Sequence, residues 1–287
     1  MDTVWITGAS GFVGGRLARE WAGRYRLLTP PRAELDLMDL AAAEDYVLRQ
    51  GPRLIVHTAA FSNTGWCQQH PEESARLNRD LPAVLAGAAR KIGAKLVFFS
   101  SDQVYGGTAQ EGPLPETAPL APVNVYGLHK WQAEQAVLEQ DPDAVCLRAT
   151  WMYDLPCRGL KNSLGLPGLL YRAALTGQPL ERSGAEYRGV TWVGQVTERL
   201  EAIAALPGGV YNMGAENALD SLETCRLLLE RMGLGERARE LVRPAAQPAR
   251  NLSMDTGRLK RHGICFGDTV HSLEECLRAY GLPVGNP

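Results

Sequence analysis

The sequence predicts a doubly wound α/β chain, a parallel sheet with helices on both faces. Three observations lead there. Short apolar runs alternate with helical stretches through the first half of the chain. The first run, Val4-Trp5-Ile6-Thr7, passes straight into Gly8-Ala9-Ser10-Gly11-Phe12-Val13-Gly14. No repeat or low-complexity tract breaks the alternation.

The elements follow in order. The opening run reads as a buried strand ending at Thr7, followed by a glycine turn and a helix beginning near Phe12. Gly8, Gly11 and Gly14, spaced GxxGxxG, let backbone amides at a helix N-terminus approach a pyrophosphate. Similar turns also occur in ordinary strand-to-helix connections. Apolar runs at 26–29, 54–58, 95–100 and 145–148 read as central strands, which in parallel sheets are apolar on both faces. Residues 41–50 and 81–92 read as helices between them. After Thr150 the texture changes to Trp151-Met152-Tyr153 and a stretch of Pro and Gly turns, so a second lobe is expected from 151 to 287, beside a first domain at 1–150. In that lobe we expect helices at 169–176, 221–232 and 270–280, a strand at 210–213 and a Pro-rich connection at 243–248.

Composition narrows the partners. A net charge of -2 without blocks of like charge argues against nucleic acid or an anionic membrane surface and for a small molecule. No apolar run reaches the ~18 residues of a membrane span, and Met1-Asp2 leads directly into the first strand, so a cytoplasmic protein is expected. Cys67, Cys146, Cys157, Cys225, Cys265 and Cys276 show no CxxC spacing; small buried hydrophobes are expected, with no metal site.

The chemistry-bearing residues lie at the end of the 95–100 strand and on the helix after it. Tyr126 and Lys130, four apart, share a helical face. A phenol titrates near ~10, and a neighbouring ammonium lowers that value, so Lys130 equips Tyr126 as a proton donor to a carbonyl being reduced. Ser101, at the carboxyl end of a central strand, is placed to polarise the same oxygen. Turn bonding is the alternative for Ser101 and Asp102, and an exposed amphipathic face the alternative for the Tyr/Lys pair. His129 lies between the pair and is expected at the surface.

The glycine turn, the strand ending Ser100-Ser101-Asp102 and the Tyr126/Lys130 helix come in the order that resembles the extended branch of the short-chain dehydrogenase/reductase superfamily. Phe99-Ser100-Ser101-Asp102-Gln103-Val104-Tyr105-Gly106-Gly107 resembles the STDYVFDG of dTDP-4-dehydrorhamnose reductases. Asn124-Val125-Tyr126-Gly127 with Lys130 resembles their NVYGxxK, and Arg148 to Tyr153 their RTSWVY. Sugar-nucleotide dehydratases carry an Asp-Glu pair where this chain has Asp102-Gln103, and a Gln cannot act as the base.

The resemblance implies a Rossmann-type fold with a smaller C-terminal substrate lobe interleaved with the first domain. It implies a catalytic set of Ser101, Tyr126 and Lys130. Cofactor contacts would come from Gly8, Ser10, Gly11, Phe12, Val13, Gly14, Asp36, Leu37, Ala59, Ala60, Asn78, Ser100, Tyr126 and Lys130. Asp102, Trp151 and Arg188 are substrate candidates. A core Trp and solvated arginines, Arg182 included, are the plainer readings for the last two.

Arg32, after the second strand, suits a 2′-phosphate, so NADP(H) is expected with NAD(H) possible through Glu34. The function implied is NAD(P)H-dependent reduction of a 4-keto-6-deoxy sugar nucleotide by a homodimer. An NAD-dependent sugar-nucleotide epimerase, or a non-catalytic NADP-binding subunit like that of methionine adenosyltransferase, stays open. Residues 61–70 differ from the acidic-basic loop of rhamnose-pathway enzymes, which leaves the sugar open.

Overall fold

The computed structural model describes residues 1–163 and 165–285. The chain forms two compact units that interleave in sequence: residues 1–106, 120–149 and 199–211 make the first, and 107–119, 150–198 and 212–287 the second.

In the first unit, strands β1 (Thr3–Thr7), β2 (Arg26–Leu28), β3 (Leu54–His57), β4 (Lys95–Ser101) and β5 (Val145–Ala149) join the strand Gly209–Met213 in a six-stranded sheet. From the Gly209–Met213 edge the order is β5, β4, β3, β1, β2. Adjacent strands from β2 to β5 pair in parallel, with Trp5 opposite Ile55 and Phe98 opposite Cys146. The chain turns to opposite sides of β1 on leaving for β2 and then β3. That topological switch point is where open α/β sheets bind ligands, at the strands' carboxyl ends.

The helices of this unit are α1 (Phe12–Trp21), α2 (Leu40–Gln50), α3 (Thr64–Gln69), α4 (Pro71–Ala75), α5 (Leu81–Ile92) and α6 (Val125–Gln140). A π-helical turn, Arg76–Asp80, joins α4 to α5, and a 3-10 turn, Asp102–Tyr105, follows β4. Asp39 and Asn124 cap α2 and α6 by accepting from the Ala42 and Gly127 amides at 3.0 and 2.8 Å. Trp5, Ile55, Leu81, Leu85, Phe98 and Val137 are buried in the apolar layer on one sheet face.

The second unit contains the helices Gly165–Thr176, Ser221–Arg231 and Thr269–Ala279 around a core that includes Tyr153, Leu170, Trp192, Leu228 and Leu273. The expected helices and the 210–213 strand all form, within a few residues of their expected ends. Three two-stranded parallel pairings come in addition: Trp151–Tyr153 with Val190–Trp192, Leu180–Arg182 with Val242–Pro244, and Glu186–Arg188 with Arg250–Leu252. Three-residue strands paired across roughly 40 to 65 positions carry no local periodicity, which is why 151–153 and the start of the Pro-rich connection read as loop. The cysteines correct one expectation. Cys67, Cys146, Cys225 and Cys276 are buried, but Cys157 is half-buried and Cys265 exposed.

Gly127 sets how closely α6 approaches the 3-10 turn, because a Cβ there would lie 2.5 Å from the Gln103 carbonyl oxygen. Gly127→Ala is expected to lower stability by about 1–3 kcal/mol in urea unfolding; an unchanged midpoint would show that the contact is slack.

Candidate active site

The turn after β1 is built for close approach. Gly8 has φ +70°, and a Cβ on it would meet the Ala59 backbone at 2.9 Å; on Gly14 a Cβ would lie 2.4 Å from the Gly8 carbonyl. The Gly11 amide donates to Gly8 O at 2.7 Å and closes the turn. Thr58 Oγ1 donates to Thr7 O at 2.7 Å, and the Ala59 amide to Thr7 Oγ1 at 3.2 Å, binding the ends of β1 and β3 together. Gly11 caps α1 without a side-chain bond, and the first turn holds no acid. The helix dipole and the leading amides are therefore available to an anion, and these residues fit the pyrophosphate of a dinucleotide. Ser10 is exposed, and Phe12 and Val13 are half-buried.

At the end of β4, Ser101 does bond within the turn: its hydroxyl accepts from the Gln103 amide at 3.2 Å and donates to Asp102 Oδ1 at 3.3 Å. Gln103 Nε2 donates to the same carboxylate oxygen at 3.1 Å, and its carbonyl accepts from Asn124 Nδ2 at 3.2 Å. Gln103 thus anchors the buried Asp102 carboxylate and reaches the cap of α6. Ser100 faces another way, donating to Glu134 at 2.5 Å.

On α6, Tyr126 and Lys130 are 9% and 2% exposed, a buried face rather than a solvated one. Lys130 Nζ lies 5.8 Å from the Tyr126 ring centroid and 4.7 Å from that of Phe98, and donates to Phe99 O at 2.8 Å. Burial lowers the ammonium's pKa to about 7, against the opposing attraction of Glu134. His57 is driven further, to about 3, by burial and by Lys130. Its Nδ1 meets Thr7 Oγ1 at 2.7 Å, and its buried Nε2 has no hydrogen-bond partner among the described residues.

The remaining sequence candidates divide by place. Arg32 is exposed and lies 3.6 Å from Asp36, whose Oδ1 accepts from the Met38 amide at 3.1 Å. Leu37, Ala59 and Ala60 are half-buried. Asn78, on the π-helical turn, is fully buried: it accepts from the Phe61 amide and donates to Phe61 O, each at 3.0 Å, and donates to Ser74 Oγ at 3.1 Å. It holds the chain beyond Ala60. His129 departs from expectation. It is buried, with Nδ1 at 2.9 Å from Ser74 Oγ, because α4 and the π-helical turn cover that side of α6.

Within 61–70 the rings of Phe61, Trp66 and His70 pack in series at 4.3 and 4.5 Å, and Gln68 Oε1 accepts from the Val125 amide at 3.4 Å. In the second unit, the Arg188 guanidinium lies 5.2 Å from the Trp151 ring centroid, while Arg182 donates to Glu181 O at 3.1 Å. The sequence reading missed His57 and the Glu134–Arg148 pair. Glu134 carried a signal, since it continues the four-residue spacing of Tyr126 and Lys130.

A glycine cradle at the switch point, with Ser, Tyr and Lys on the neighbouring strand and helix, defines a nicotinamide-dependent oxidoreductase of the extended short-chain class. The chain belongs to the family described as the RmlD substrate binding domain, whose profile matches residues 1–280. It is 30% identical to a dTDP-4-dehydrorhamnose reductase of Streptomyces griseus over 284 residues, 90% of this chain and 87% of that one. It is also 34% identical to methionine adenosyltransferase 2 subunit beta of Bos taurus over 158 residues, 52% of this chain and 47% of that one. The fold matches the crystal structure of dTDP-4-dehydrorhamnose reductase from Bacillus anthracis str. Ames in complex with NADP, with a TM-score of 0.83 at 20% identity over 97% of this chain and 99% of that one.

His57 yields a pH prediction. Its folded pKa lies below its unfolded value, so the unfolded chain takes up the proton first as pH falls from about 6.5 towards 3, and stability drops in that window. Between pH 7 and 5 the wild type should lose about 2 kcal/mol more than His57→Asn in urea unfolding. Parallel losses would mean that His57 can be protonated in the folded chain.

Proposed function

We propose that this chain is an NAD(P)H-dependent reductase of a 4-keto-6-deoxy sugar nucleotide, of the dTDP-4-dehydrorhamnose reductase kind. The carrying observation is the burial of Tyr126 and Lys130 on one face of α6, next to the turn that presents Ser101. The relatives' names supply the substrate class.

Each residue has a role. Gly8, Gly11, Gly14 and the first amides of α1 would hold the pyrophosphate, and Lys130 the nicotinamide ribose. When bound, the cofactor supplies hydride to the carbonyl carbon. Tyr126 gives its hydroxyl proton to the substrate oxygen, and the Lys130 ammonium favours the phenolate left behind. Ser101 would turn its hydroxyl to that oxygen and polarise it, with Asp102 beside it as a substrate contact. The second unit contributes the substrate lobe, with Trp151 and Arg188 stacked as a ready face for a ring and a phosphate. Cytoplasmic residence and a homodimer complete the proposal.

Tyr126→Phe should cut turnover about a hundred- to ten-thousand-fold while leaving the NADPH Kd within a factor of two or three. Unreduced turnover in a scan of 4-keto nucleotide sugars would remove the mechanism. The resemblance to a methionine adenosyltransferase subunit makes tight NADPH binding without oxidation of any sugar the informative opposite result, favouring a regulatory role. Arg32 is assigned the 2′-phosphate. NADPH should bind about tenfold tighter than NADH, and Arg32→Ala should erase most of that difference in fluorescence titrations. Tighter NADH binding by the wild type would refute the assignment.

A further inference from the structure

A buried charged cluster next to the Tyr126–Lys130 pair has no part in the roles above. Tyr126, Lys130 and Glu134 follow one another at four-residue spacing along α6 and share a face. Glu134 is 2% exposed. Its Oε1 accepts from Ser100 Oγ at 2.5 Å and from Arg148 Nε at 3.1 Å, and its Oε2 from Arg148 Nη2 at 2.7 Å. Arg148 Nη1 in turn donates to the Tyr105 hydroxyl at 2.6 Å, with the guanidinium 5.0 Å from the Tyr105 ring centroid.

The partners come from the elements that present the rest of the site. Ser100 directly precedes Ser101 on β4, Tyr105 ends the turn that begins with Asp102, and Arg148 belongs to β5. One carboxylate therefore joins the helix of the proton donor to the strand and turn of the polarising groups. A buried ion pair of this kind typically adds little net stability compared with apolar side chains of similar volume, because desolvation offsets the attraction. Its effect here is on position and charge. Around Lys130 stand His57 from β3, Cys67 from α3, Cys146 from β5, and Tyr126 and Glu134 from its own helix. Of these, Glu134 does most to favour the ammonium against burial, and the two thiols less.

We propose that Glu134 is a positioning residue of the reductase site, locking α6 to Ser100 and Arg148 so that Tyr126 and Lys130 meet Ser101 in one fixed arrangement and Lys130 keeps its charge. The proposal rests on the reductase reading of Tyr126 and Lys130, and its test has a readout independent of turnover.

The test compares wild type, Glu134→Gln and the double variant Glu134→Met/Arg148→Met. Glu134→Gln removes the carboxylate paired with Arg148; the double variant removes both charges at similar volume and is expected to fold. Each protein is labelled at lysine and titrated by NMR, with the Lys130 signal among Lys91, Lys95, Lys130, Lys161 and Lys260 assigned through Lys130→Arg. The pH profile of kcat/KM is measured in parallel. We expect the Lys130 midpoint and the high-pH limb of kcat/KM to move down together by about one pH unit, with up to about a tenfold loss of turnover at pH 7. A folded variant with the wild-type midpoint and limb would overturn the proposal. A wild type that reduces no 4-keto sugar would overturn the reductase reading instead, and the NMR midpoints would still decide whether Glu134 controls the charge of Lys130.

Discussion

A lysine ammonium taken out of water has to be held by dipoles and neighbouring charge, and Lys130 is held by the Phe99 carbonyl at 2.8 Å and the face of Phe98. Burial nonetheless weakens its hold on the proton, bringing its pKa down to about 7. The surroundings conform to that constraint. His57 stays neutral, and Glu134, the carboxylate that most favours the ammonium, is paired with Arg148.

The same unit uses glycine wherever two backbones must come closer than a side chain permits. Gly8 and Gly14 let the turn after β1 lie against Thr58 and Ala59, and Gly127 lets α6 lie against the turn carrying Asp102 and Gln103. The first approach closes the turn at the end of β1 and the second seats α6 on the 3-10 turn. Polar side chains then fix what the glycines permit. Asn78 ties the backbone of Phe61 to Ser74, Ser74 meets His129, and Gln103 connects Asp102 to Asn124. Two networks therefore reach α6 from different sides, one through the π-helical turn and one through the 3-10 turn.

The second unit is organised by a different principle. Its strands are three residues long and pair with segments far along the chain, while its helices supply most of the core. Asn212, for instance, donates to the carbonyls of Leu114 and Asp255, drawing the 107–119 excursion into that unit. Short strands anchored by helices tolerate changes in the intervening loops.

By itself the sequence determined the alternation of strand and helix, the glycine turn after the first strand, and the spacing that puts Tyr126 and Lys130 on one face. Those features depend on local periodicity and on residue chemistry, which a linear chain displays in full. The family was legible for the same reason, since its motifs are short and contiguous. Tertiary structure alone decided that His129 is buried rather than exposed, that Asn78 grips backbone at Phe61, and that Glu134 meets Arg148 fourteen positions away across α6 and β5. It also decided the three short parallel pairings of the second unit. Burial, pairing of distant charges and close backbone approach depend on which surfaces meet, and only the folded chain brings those surfaces together.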